Sequence, residues 1–114
     1  LEPWVEVRLA PLADIDVDGE VWPWYSLDAI PDSGIDLVFV DGPPGATTKN
    51  ARYPALPLLS NRLSPQSMVI LDDAARDEEA AIAQRWSELF PEVEMSVIDH
   101  EKGTTVFIFQ SGAR

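Results

Sequence analysis

Two stretches decide the fold: Ile35-Asp36-Leu37-Val38-Phe39-Val40-Asp41-Gly42-Pro43-Pro44-Gly45 and Ser67-Met68-Val69-Ile70-Leu71-Asp72-Asp73. Each carries an apolar run too short for a stable helix and unbroken by polar residues. Such runs belong to strands covered on both faces, the habit of parallel sheets. The first ends at a Gly-Pro-Pro-Gly sequence that continues neither strand nor helix, and the second ends on two aspartates.

Between them, Pro54 and Pro57 suit the first turn of a helix, with Leu56, Leu59 and Leu63 on one face and Ser64-Pro65 as its end. A strand, a helix and a second strand make a right-handed crossover, so the two strands are expected to be parallel and adjacent. Their C-terminal ends then share one sheet edge, where open α/β sheets bind ligands. Adjacent strands lie about 4.8 Å apart. Asp41, Asp72 and Asp73 are therefore expected to point into one small volume.

Further out, Trp4-Val5-Glu6-Val7-Arg8-Leu9 alternates apolar and charged residues, as a half-buried strand does. Residues 14–19 read as an acidic turn. Val21-Trp22-Pro23-Trp24-Tyr25 reads as an irregular or edge strand whose rings plug the core, with a ligand surface as the rival reading. The polar stretch 46–50 reads as a mobile loop. An amphipathic helix is predicted over 75–90, with Ala75, Ile82, Ala83, Trp86, Leu89 and Phe90 as its stripe and Pro91 as its stop. Asp77, Glu78 and Glu79 suit its N-terminal dipole. Residues 93–98 and 104–109 form an antiparallel hairpin through Asp99-His100-Glu101-Lys102-Gly103.

The chain has 114 residues, the size of one domain, and 46% of them are apolar, enough for a core. Eight Lys and Arg against 20 Asp and Glu give a formal charge of −12, which disfavours nucleic acid and anionic membranes and favours cations. No cysteine is present, so disulfides, thiolate zinc sites and thiol nucleophiles are excluded, and a cytoplasmic setting is expected. No signal peptide or membrane span is visible. The chain opens on Leu, as a piece of a longer protein would.

Three clustered carboxylates repel one another until one takes a proton or a cation fills the gap. Mg²⁺ and Ca²⁺ prefer all-oxygen ligands of this kind. The structural alternatives are that Asp73 caps the following helix and that Asp41 is a turn residue before Gly42. Arg52 and Tyr53 either face an acceptor or pack at a helix start. Arg76 is expected to pair with Asp72 or Asp73. His100, at a hairpin tip, is expected to lie far from the strand ends. Gly45 with Thr47-Thr48-Lys49 lacks the spacing of a phosphate loop.

The DGPPG loop at Asp41–Gly45, Ala51-Arg52-Tyr53-Pro54-Ala55-Leu56 and Val69-Ile70-Leu71-Asp72-Asp73-Ala74-Ala75-Arg76 resemble the second half of class I S-adenosylmethionine-dependent methyltransferases. Val7-Arg8-Leu9-Ala10-Pro11-Leu12 and Trp24-Tyr25 fit the same branch. The resemblance implies a partial Rossmann-like α/β sheet, parallel with a C-terminal antiparallel hairpin and helices on its faces. It implies that Ala10, Pro11, Asp41 and Gly42 border the cofactor. By likeness to catechol-type O-methyltransferases, Asp41, Asp72 and Asp73 would hold Mg²⁺ or Ca²⁺ and carry catalysis on a small-molecule acceptor. The family's Gly-rich cofactor loop and ribose-binding acid have no match here, so this polypeptide alone is expected to bind S-adenosylmethionine weakly and to be inactive. Its strand at 35–40 is left with a free edge open to self-association. A non-catalytic acidic interaction module, with the aspartates as caps, is the rival function. Mg²⁺-assisted phosphate chemistry ranks below both.

Overall fold

A computed structural model describes residues 4–43, 49–73 and 76–110. Among the described residues the architecture is a small α+β arrangement of two sheets and two α-helices, and this corrects the Rossmann-like expectation. A four-stranded sheet carries both helices, and a separate antiparallel hairpin packs beside it.

The hairpin consists of β1 (Leu12–Val17) and β2 (Glu20–Tyr25). The acidic stretch at 14–19 is thus mostly strand. Its aspartates alternate with Ile15 and Val17, and only Asp18 and Gly19 turn, both at positive φ. Asp-Gly is a preferred sequence for such two-residue hairpin turns. Pro23 is tolerated because the hairpin has only two strands, each with a free side. Trp22 and Trp24 are buried in the common core, and Trp22 stacks 5.1 Å from Tyr53.

The larger sheet has the order β3-β4-β6-β5, formed by β3 (Ile35–Val40), β4 (Leu63–Asp72), β5 (Glu94–Ile98) and β6 (Thr104–Phe109). β3 and β4 are parallel, with Val40 opposite Leu71. β6 runs antiparallel to both β4 and β5. β4 is longer than expected because Ser64-Pro65, predicted to end a helix, lies inside it. The helix before it, α1 (Ala55–Leu59), is correspondingly short and gives way to a single 3-10 turn.

One sheet face is covered. Val69, Leu71, Phe107 and Phe109 are buried on it beneath α2 (Asp77–Leu89), with the Trp86 and Phe107 rings 5.3 Å apart. Glu79, Ile82, Ala83 and Trp86 form the buried helical stripe; Leu89 is exposed, and Ala75 lies outside the described residues. The opposite face was expected to be covered too, yet Leu37 and Phe39 are 57% and 58% exposed there. No described helix packs on that side, which is the physical difference from a sandwich with helices on both faces.

Residues 4–9 form no strand. Trp4, Val7 and Leu9 are exposed, and the outer edge of β3 has no strand beside it among the described residues. An open apolar groove of about 600 Å³ follows that edge from Ile35 to Gly42, walled by Trp24, Tyr25, Ile30 and Pro31. No described helix is long and apolar enough to cross a membrane.

Candidate functional site

Parallel pairing of β3 with β4 brings their C-terminal ends together. Asp41 follows β3, Asp72 ends β4 and Asp73 follows it. Each offers a carboxylate oxygen within 4.8 Å of the others, so the predicted convergence is present. Asp73 adopts a φ of 60°. This left-handed conformation costs a non-glycine residue about 1 kcal/mol, less for Asp than for most. It turns the chain sharply at the strand end, so that two consecutive aspartates serve one site even though strand geometry sends neighbours to opposite faces.

Neither aspartate 72 nor 73 caps α2. The N-cap is Arg76, and no side chain caps it. The cap alternative therefore fails for Asp73. Arg76 also departs from expectation: its Nε pairs with Glu79 at 3.2 Å and not with Asp72 or Asp73.

Arg52 holds the site from below. It is 6% exposed, and its Nε donates to the Pro43 carbonyl at 3.4 Å. Its guanidinium lies 3.5 Å from Asp73, 3.8 Å from Asp41 and 3.8 Å from Glu79. A buried guanidinium requires such partners, and Glu79, itself only 2% exposed, requires Arg52 and Arg76. The sequence reading left Arg52 open between acceptor contact and surface cation, and missed Glu79. Tyr53 is 2% exposed, with Arg85 4.1 Å over its ring, so it packs and does not face an acceptor. Burial raises the Tyr53 pKa, while Arg85 opposes that shift.

His100 reverses its prediction. Because β6 is antiparallel to β4, its first residue, Thr104, sits opposite Asp72. The hairpin tip therefore lies at the aspartate end of the sheet. The Thr104 hydroxyl donates to Asp72 Oδ1 at 3.4 Å, and His100 Nε2 lies 2.7 Å from that hydroxyl. With the hydroxyl proton directed at Asp72, Nε2 is the donor to Thr104, an assignment that follows from the hydrogen-bond chain.

Of the residues implied for cofactor contact, Asp41 and Gly42 lie at the end of the groove. A Cβ on Gly42 would collide with the Tyr25 hydroxyl, the far end of a half-buried side chain that would have to shift to admit it. Pro11 is next to the same wall, its carbonyl accepting from Ser26 N at 3.0 Å, while Ala10 is half-buried and outside any strand. Pro44, Gly45 and most of the polar loop, with Ala74, lie outside the described residues.

The donor set fits a hard divalent cation: three carboxylates, with Arg52 offsetting one of their charges. No protein-family model matches the chain, and no curated protein matches it. The likeness to methyltransferases thus rests on the residues of the motifs quoted above.

Proposed function

We propose that this chain carries the metal- and acceptor-binding side of an S-adenosylmethionine-dependent methyltransferase that methylates an oxygen of a small molecule in the cytoplasm. The observation that carries the reading is the meeting of Asp41, Asp72 and Asp73 within 4.8 Å at the ends of two parallel strands. The DGPPG and Asp-Asp-Ala motifs supply the reaction class, and the lack of cysteine accords with a reducing compartment.

In this reading the three aspartates hold Mg²⁺ or Ca²⁺. When bound, the cation lowers the pKa of an acceptor hydroxyl and makes its oxygen a better nucleophile. The chain's own residues do the positioning. Arg52 offsets the charge of Asp41 and Asp73 in the absence of metal, and Thr104 orients Asp72. Gly42 keeps the backbone close to Tyr25. The glycine-rich groups that would wrap the methyl donor have no counterpart in the motifs of this chain.

A structural reading competes, in which the aspartates are only counter-ions for buried Arg52. The long 3.5–3.8 Å separations argue against a fully optimised ion pair. Titrating the chain with Mg²⁺ while recording backbone NMR spectra distinguishes the two. Joint movement of the Asp41, Asp72 and Asp73 resonances, abolished by Asp72→Asn, supports the metal site. Unchanged spectra at millimolar Mg²⁺ would sink it. Calorimetry with S-adenosylmethionine tests the incomplete cofactor side, where weak or absent heat is expected.

A further inference from the structure

The structure has an unfilled strand position and an unpaired strand-forming segment, and these complement each other. β3 is bonded only to β4, and its outer edge faces the groove. Residues 4–9 have the alternating pattern of an edge strand but no strand partner among the described residues, with Trp4 79%, Val7 77% and Leu9 90% exposed. Arg8 is tied to Glu6 and donates to the Ala29 carbonyl at 2.9 Å.

We propose that residues 4–9 of one copy add as a strand to the β3 edge of a second copy, reciprocally, making a twofold strand-exchanged dimer. Lengths agree: both segments have six residues, or roughly 20 Å of extended chain. So do the faces. With Val5, Val7 and Leu9 turned to the covered side, they extend the row formed by Val38 and Val40. Glu6 and Arg8 then fall on the open side beside Leu37 and Phe39, where solvent reaches them.

Each copy contributes one strand and receives one, so the arrangement closes on itself without leaving a free β3 edge. Pro11, fixed in φ and bonded through its carbonyl to Ser26, marks where the exchanged arm leaves the hairpin. The groove ends at Asp41 and Gly42, so the partner's arm also walls one side of the carboxylate cluster. The proposal does not depend on methyl transfer.

Sedimentation velocity of the full chain over a wide concentration range tests it. A dimer is expected, tighter at high salt because salt screens the repulsion between two chains of charge −12. Val7→Pro removes a backbone donor from the arm, and Leu9→Lys places a charge on the arm face that the dimer buries. Each residue is exposed, so both variants keep the wild-type circular dichroism while weakening the dimer by at least about tenfold. A monomer at every concentration overturns the proposal, as does a dimer that survives both substitutions. In a mixed sample of labelled and unlabelled chains, NOEs between residues 4–9 and 35–40 should cross between copies. If those NOEs arise within one chain, exchange is refuted.

Discussion

Replacing Arg52 by glutamine separates a metal site from a buried ion-pair network, because the two assign opposite consequences to one charge. Arg52 lies within 4 Å of two of the three candidate ligands, Asp41 and Asp73, and of Glu79. Unit charges 4 Å apart interact by about 1 kcal/mol in water-like surroundings. Asp41 is 64% exposed at its side chain, so the water-like value applies. For a divalent ion the repulsion doubles to about 2 kcal/mol, or about thirtyfold in affinity. Arg52→Gln should therefore bind Mn²⁺ or Mg²⁺ about thirtyfold more tightly by calorimetry. Without metal the same variant leaves Glu79 and Asp73 short of a partner. Breaking a buried pair costs 3–5 kcal/mol, but the long distances and exposed Asp41 reduce this to about 2 kcal/mol. Metal should restore most of that loss in urea unfolding. A variant that is destabilised but gains no metal affinity would refute the site and leave the aspartates as counter-ions.

Three further substitutions test other parts of the same construction. Thr104→Val keeps the shape but removes the donor to Asp72, and should weaken Mn²⁺ binding by about tenfold in calorimetry, the low end for lost support of a ligand. Asp73→Ala should cost more stability than Asp73→Asn, by about 1 kcal/mol in urea unfolding, because asparagine tolerates the φ of 60°; equal losses would remove backbone geometry from the account. Tyr53 titrates above its ordinary value of 10.0 because it is buried. Its contribution is intact below the unfolded-state pKa and is lost as pH rises through the higher folded-state value, since the unfolded chain releases the proton first. Tyr53→Phe should flatten the alkaline limb of a stability-against-pH curve.

Local pattern carried the elements whose partners are close in sequence. The apolar runs of β3 and β4 and the short Gly-containing connection before β6 identified strands, and the spacing of Ile82, Ala83 and Trp86 identified the inner face of α2. Pattern failed where a local signal met a tertiary alternative. Residues 4–9 alternate like a strand, but no strand among the described residues pairs with them. Residues 14–17 looked like an acidic turn because four of six residues from 14 to 19 are Asp or Gly, yet Ile15 and Val17 hold their interval as strand against β2. The unbroken run at Leu37–Val40 implied two covered faces. Among the described residues only one is covered, so hydrophobicity reported what the strand can bury and not what covers it here.

The site divides along the same line, and the direction of β6 explains how. Asp41, Asp72 and Asp73 could be assembled from a single rule, that parallel neighbours end on the same edge. Arg52 and Glu79 could not, because they reach the cluster from α1's approach and from α2, and no short-range spacing links them to it. His100 was excluded by treating the hairpin tip as remote, and Thr104 carried no signal of its own. An even number of reversals separates β4 from β5, so β6, antiparallel to both, must start where β4 ends. The connection between β5 and β6 is therefore pinned to the aspartate edge by topology alone. That places the sole histidine one hydroxyl away from Asp72, at 2.7 Å from Thr104, without any helical or strand signal of its own.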